Sequence, residues 1–290
     1  MPGPRRTAWA RRIGALARAA LDGPRRGAVA GGFPGGVNVL FRDPDAFVPL
    51  QAAPVPLHPF AVEIEGAPLA VPAGTPVGVE GERIAIGDLP VDLSSGRCEP
   101  LTLDPLDRDG LCTVRARLPL LTRSLASTRG SPVSDPFEPQ IAGAVAAWER
   151  GGDPIVLLDL VGLGGGSTPA GDDLLVGLIA GLILQETVSP RARAVLTDLT
   201  PQLKAVVRRR TPLPSAQSIE AILIRQAPEP LCRLAAALRD PMVHEAAVRR
   251  AADRVASLGA TSGRFLLAGL ACAWGRANPL RHRRPSCLVV

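Results

Sequence analysis

The chain reads as an α+β protein, with a β-rich N-terminal domain of barrel or sandwich type and a mainly α-helical C-terminal domain. Three observations carry this. From about residue 27 to 120, short β-like runs are broken by Pro and Gly. After residue 136 the apolar residues recur at helical spacing. Between the two, 126–135 is polar and contains Gly130 and Pro132, the composition of a linker. Domains are therefore expected at 1–125 and 136–278, followed by a basic tail, 279–290, expected to be disordered. With 290 residues and 46% hydrophobic composition, there is ample material for a core.

Taken in order, the first element is a helix over 4–21, because Trp9, Ile13, Leu16 and Ala20 recur at helical spacing; its arginines read as a solvated face, and Gly23-Pro24 ends it. Strands are expected at 37–41, 47–50, 61–64, 77–79, 83–86 and 112–116, with alternation clearest at 61–65 and 83–86. Pro54, Pro56 and Pro59 mark a loop or an edge that cannot pair normally. In the second half, 136–150 carries Ile141, Val145 and Trp148 at helical spacing and stops at Gly151-Gly152. Asp153-Pro154 can cap a short helix through Val161, although its β-branched residues leave a buried strand open. A further helix covers 190–209, and Glu229 opens another running to Leu238.

The most informative stretch lies between these helices. The apolar run 155–161 ends in a glycine cluster, Gly162 and Gly164, Gly165 and Gly166. Ser167, Thr168 and Pro169 follow, then Gly171-Asp172-Asp173 and an unbroken helical pattern through Ile183. Thr168 fits the cap and Pro169 the first turn, where a missing N–H costs nothing. The glycines leave backbone N–H groups open to a ligand, and the helix start adds a positive dipole end, a geometry suited to phosphate or an oxyanion. Asp172 and Asp173 would repel a bare anion, so a cation, such as Mg2+, or an amide group of the substrate is expected beside it. The same residues also describe an ordinary capped helix that binds nothing. The loop is neither G-x-G-x-x-G nor a phosphate loop ending in Gly-Lys-Ser/Thr.

Two later segments join this one. Arg210, Thr211 and Ser215 put a guanidinium beside two hydroxyls, an anion clamp by chemistry and equally a basic helix end that complements the dipole. Thr261, Ser262 and Gly263 begin a stretch that aligns with the central one when Gly263 is set on Gly171, both then reading G-x-x-L-L-x-G-L. This predicts two similar loop-to-helix corners facing each other. Gly177 and Gly181, four apart, would let a neighbouring helix approach, and Gly269 would do the same on the second helix.

Composition excludes several classes. The net charge of +6 suggests nucleic acid, but Lys204 is the only lysine, aromatics are 3%, and no nucleic-acid motif is present. No apolar run is long enough to span a bilayer. The five cysteines are scattered without a C-x-x-C pair, which argues against a zinc site or a disulfide framework and for the reducing cytoplasm. His58, His244 and His282 lie outside every motif, so histidine acid–base catalysis is not expected.

The pattern G-L-G-x-G-x-T-P-x-G-D-D-x-L-x-G at 162–177 resembles the hallmark of a bacterial family, the AllH-like proteins, associated with oxamate carbamoyltransferase in the breakdown of allantoin. The likeness extends over nearly the whole chain. Gly36-Val37-Asn38-Val39-Leu40 is similar to the family's small-residue stretch and V-N-L strand, which makes Asn38 a candidate to face the site, although satisfying local backbone is its preferred reading. Asp92-Leu93-Ser94 looks like a family strand ending, and Glu229-Pro230-Leu231 like a structural E-P-L. The segment 210–216 resembles R-T-T-x-x-S-A with Pro212 in place of the second threonine. Relatives tend to carry an acidic residue where this chain has Phe265.

The resemblance implies a component of a carbamoyltransferase that works with other subunits on a small anionic substrate: carbamoyl phosphate, oxamate or oxalurate. Gly164 to Gly166 and the N–H groups near Thr168 would hold phosphate, Arg210 would balance charge, and Asp172 or Asp173 would orient the amide or hold a divalent ion. Two rivals stand beside it. One is a nucleotide- and magnesium-dependent phosphotransfer enzyme; the other is a noncatalytic partner-binding subunit.

Overall fold

A computed structural model describes residues 8–52, 55–66, 70–128 and 136–275. The expected linker lies mostly outside these residues, as do Pro54 and the expected tail. By compactness the chain divides into 1–102 with 226–229, and 103–225 with 230–290.

The first unit is a closed β-barrel of eight strands with one more attached. The strands are β1 (Ala8–Gly14), β2 (Arg25–Phe33), β3 (Gly36–Phe41), β4 (Ala46–Ala52), β5 (Val62–Glu65), β6 (Pro76–Glu80), β7 (Arg83–Ile86), β8 (Leu89–Asp92) and β9 (Arg97–Glu99). Their order is β5-β4-β3-β2-β6-β7-β8-β1-β9, and β5 also pairs with β1, which closes the ring. Most neighbours are antiparallel, but β4–β5, β1–β8 and β1–β9 are parallel. The inward set, including Ile13, Val39, Phe41, Leu50, Ile64 and Ile84, fills the interior. The barrel alternative of the sequence reading is the one adopted.

Two expectations fail here. Residues 8–14 form a strand, and only α1 (Ala15–Ala20) is helical. Ala8 and Ala10 turn inward while Trp9 and Arg11 turn outward, a period of two that the spacing of Trp9, Ile13 and Leu16 concealed. The pairing to β5 decides it: Arg11 and Arg12 meet Glu65 and Glu63 across the strands. Arg12 also reaches Glu229 at 3.0 Å, and Glu229 accepts from the Leu57 N–H at 3.0 Å, so 226–229 is tied into the barrel. The predicted strand 112–116 is instead part of helix α2 (Arg108–Thr128). Asp107 caps it, accepting from the Gly110 N–H at 2.8 Å, and Val114, Leu118, Leu121 and Leu125 form its buried stripe.

The second unit is helical: α2, α3 (Glu138–Glu149), a 3-10 helix (Pro154–Leu160), α4 (Ala170–Gln185), α5 (Pro190–Arg210), α6 (Leu213–Leu223), α7 (Glu229–Arg239), α8 (Glu245–Ala256) and α9 (Ser262–Cys272). Of the residues of α4 only Asp173 is not fully buried, so this helix is apolar on all sides and forms the axis of the unit. No helix among the described residues is long and apolar enough to cross a membrane. Cys98, Cys112, Cys232 and Cys272 are free thiols, and Cys287 lies outside the described residues.

Candidate functional site

The site begins where the 3-10 helix ends. Asp153 caps that helix by accepting from the Ile155 N–H at 2.9 Å, and Leu157 and Leu160 bury it. The chain then turns through the glycines into α4, with Pro169 as the flanking residue. Thr168 does not cap the helix as expected. Its Oγ1 lies 3.1 Å from Ser262 Oγ, at the first residue of α9.

Packing accounts for part of the glycine cluster. Gly162 has φ 78, and a Cβ there would lie 2.1 Å from the carbonyl oxygen of Arg210. Its N–H donates to Asp172 Oδ1 at 2.8 Å. Gly165 and Gly166 are different: nothing lies within 4 Å of a Cβ at either, and both are exposed. Among the described residues no protein acceptor meets the N–H groups of Gly164, Gly165, Gly166, Ser167 or Thr168. Gly164 (φ 131) and Gly166 (φ 81) take backbone conformations that residues with a side chain rarely adopt.

The two aspartates have separate surroundings. Asp172 is 1% exposed, and its Oδ2 accepts from the hydroxyls of Thr211 and of Ser215, the latter at 2.7 Å. One carboxylate thus binds the glycine loop, the end of α5 and the start of α6. Burial pushes its pKa up, opposed by Thr211, Ser215, the Gly162 N–H and the charge of Arg210. Arg210 itself is exposed, at the last residue of α5. Asp173 bonds to Ser262, yet its Oδ2 is buried with no hydrogen-bond partner among the described residues. Burial raises its pKa to about 8; the Ser262 bond opposes this and the neighbouring Asp172 adds to it. Burial therefore favours the protonated form of Asp173. No group of three or more His, Cys, Asp or Glu able to hold a metal ion occurs among the described residues. Three protein donors already occupy the Asp172 carboxylate.

The two corners do face each other. Gly177 meets the carbonyl of Leu266, and Gly269 meets that of Leu174, which is the same contact exchanged when Gly171 is set on Gly263. Gly181 meets Ala273 further along. Together with Thr168 and Ser262 at the near end, these contacts make α4 and α9 parallel neighbours that start side by side. Both helix N-termini, with their positive dipole ends, therefore flank Asp173.

Residues 160–274 match the family model described as oxamate carbamoyltransferase subunit AllH. This segment is AllH-like. No curated protein and no solved structure matches it.

The AllH-like region begins two residues before the glycine turn and ends just past α9, so it contains α4 to α9 and none of the barrel strands. Within it the structure brings together Thr168, Asp173 and Ser262 as one group, and Asp172, Thr211 and Ser215 as another. Gly171 and Gly263 are buried at their helix starts, where a Cβ would lie 2.2 Å from the Leu160 carbonyl and 1.9 Å from that of Val255. Thr261 flanks α9 without a side-chain capping bond. Pro212 flanks the start of α6, in the position before the first turn that proline tolerates. Phe265, which aligns with Asp173, is fully buried under the Arg264 guanidinium. Asn38 lies on β3 of the barrel, paired opposite Pro49 and Gly31. Sequence reasoning counted Gly162 among the glycines open to a ligand, but its N–H is taken by Asp172. It also missed the Arg264–Glu138 pair, 2.6 Å apart and mostly buried, which ties α9 to α3.

Proposed function

We propose that the chain is a component of an oxamate carbamoyltransferase, moving a carbamoyl group between phosphate and the amide nitrogen of oxamate. The observation that carries this reading is the buried, unpartnered Oδ2 of Asp173, where burial favours the protonated form, in the same short stretch as five open N–H groups. In the phosphorolytic direction a phosphate oxygen attacks the carbamoyl carbon of oxalurate and the C–N bond breaks. The departing nitrogen needs a proton, which Asp173 gives. In the reverse direction the nitrogen of oxamate attacks carbamoyl phosphate, the C–O bond to phosphate breaks, and the Asp173 carboxylate takes the proton. The amides from Gly164 to Thr168 hold phosphate or the developing oxyanion, and Arg210 adds positive charge. Asp172 acts as a positioning residue. Its three protein donors also disfavour the magnesium–nucleotide rival.

The family's description as a subunit favours activity that depends on other transferase subunits. The first experiment is thermal unfolding with carbamoyl phosphate, oxalurate, oxamate, phosphate and ATP, each with and without magnesium. A ligand specific for the folded state adds about 2.7 kcal/mol at a hundredfold excess over its Kd. A rise with carbamoyl phosphate or oxalurate that disappears in Asp173→Asn supports the transferase. A rise with magnesium–ATP alone replaces it by phosphotransfer. No rise with any ligand leaves the partner-dependent reading, tested next by activity after co-purification.

A further inference from the structure

A second pocket lies at the far end of the α4 and α9 pair. It has a volume of about 430 Å3, within the range of about 300–1,000 Å3 typical of ligand sites. Its walls come from the C-terminal ends of α3, α4 and α9, with α2 and the start of α5. The sixteen residues of α4 separate it from the glycine turn by about 24 Å.

The lining chemistry is mixed in a specific way. Trp148 and Trp274, two of the three tryptophans of the chain, supply flat apolar surface. The indole Nε1–H of Trp274 is buried and has no acceptor among the described residues, so an oxygen brought by a ligand would satisfy it. Gln185 is held in place by donating to the Gly181 and Ala273 carbonyls, both at 2.9 Å. The Glu149 carboxylate lines the same pocket, and with the negative dipole ends of three helices it favours a cationic or N–H-rich group. Arg191, exposed and 5.9 Å over the Trp148 ring, adds positive charge suited to a carboxylate. Cys272 is a wall and no nucleophile, because burial and the charge of Glu149 raise its pKa and keep the thiol protonated.

The geometry points to a binding site for a small planar molecule that joins an N–H-rich head, guanidinium or urea, to a carboxylate. The head faces Glu149 and the helix ends, and the carboxylate meets the Trp274 N–H and Arg191. This site is separate from the glycine turn and does not rest on the function proposed for it.

The tryptophans provide the readout. Trp9→Phe changes a residue that is 45% exposed and leaves emission to Trp148 and Trp274 alone. In that background, creatine and N-carbamoylglycine are the probes. A saturable change in emission with either one is expected, retained in Asp173→Asn, with Kd raised about tenfold or more by Trp274→Phe as one hydrogen bond to a charged group is lost. If Trp274→Phe does not fold, Arg191→Ala, on the surface, decides in its place by the same rise in Kd. The proposal is overturned by no saturable change with either probe up to about 10 mM, the weak end of specific binding. An unchanged Kd in the deciding variant, or a response abolished by Asp173→Asn, also overturns it.

Discussion

Gly177 of α4 packs so closely on Leu266 of α9 that a Cβ there would lie 1.8 Å from the Leu266 carbonyl oxygen. Backbone, not a movable side chain, fills the space. The contact repeats with the partners exchanged, Gly269 meeting Leu174 at 1.9 Å.

Gly177→Ala must therefore push the two helices apart, and a loss of about 3 kcal/mol is expected from overpacking. Gly165→Ala is the control, since nothing lies near its Cβ and its φ is ordinary; its effect should stay within about 1 kcal/mol. Urea unfolding measures both. Equal stability of the two variants would show that the helix contact is looser than described.

Asp172→Ala leaves the Gly162 N–H and two hydroxyls without their acceptor, a cost of about 3 kcal/mol or more. Asp172→Asn keeps one oxygen for Gly162, and the Thr211 and Ser215 hydroxyls can rotate to accept from its amide. A loss near 1 kcal/mol is expected there. A residue whose chief task is to ligate a metal would show the reverse in one respect: Asn would remove any metal-dependent gain in stability, so melting with and without magnesium separates the roles.

Asp173 gives a pH dependence with a fixed sign. Its carboxyl titrates near 8 in the folded chain against 3.8 for an ordinary aspartate. The folded state thus holds a proton that the unfolded state releases, and stability falls as pH rises between these values. Asp173→Asn has no such proton, so it should be more stable than the parent at pH 7 by on the order of 1–4 kcal/mol, the gap closing toward about pH 4. Parallel stability profiles for the two proteins would refute the raised pKa. An anion bound at the glycine turn should likewise weaken as pH rises through about 8.

In the barrel, Arg12 sits between Glu63, only 2% exposed, and Glu229. The bond to Glu63 raises the guanidinium's pKa against burial, and Glu229 adds to the rise. Arg12→Ala strands a buried carboxylate and should cost about 2–4 kcal/mol, read by chemical denaturation. Arg11→Ala, whose partner side chains include the exposed Glu65, should cost less than about 1 kcal/mol. Similar losses in the two would contradict the pairing.

Some of this was legible in the residues. The strands at 61–64 and 83–86 announce themselves by alternation, those at 37–41, 47–50 and 77–79 as short β-like runs between Pro and Gly, and α3, α4 and α5 by their apolar spacing. The likeness of 171–178 to 263–270 was also visible, and it foretold two corners that meet. What local pattern could not reveal was β1. Its arginines read as a solvated helix until the acidic face of β5 was beside them, and the glycine-rich β2 has little strand propensity of its own. The strand expected at 112–116 failed for the same reason in reverse, since five residues cannot show the longer stripe that makes 108–128 a helix.

At the site, the sequence by itself determined the chemical inventory: a glycine turn, two hydroxyls, two adjacent carboxylates and a distant arginine segment. It could not distinguish the two aspartates, because neighbouring residues of a helix point in different directions and their surroundings come from elsewhere in the chain. Only the tertiary structure decided that Asp172 is satisfied by Gly162, Thr211 and Ser215 while Asp173 keeps a buried oxygen without a partner. Proton affinity is set by burial and by donors that folding brings from far along the chain, and no local pattern carries that information.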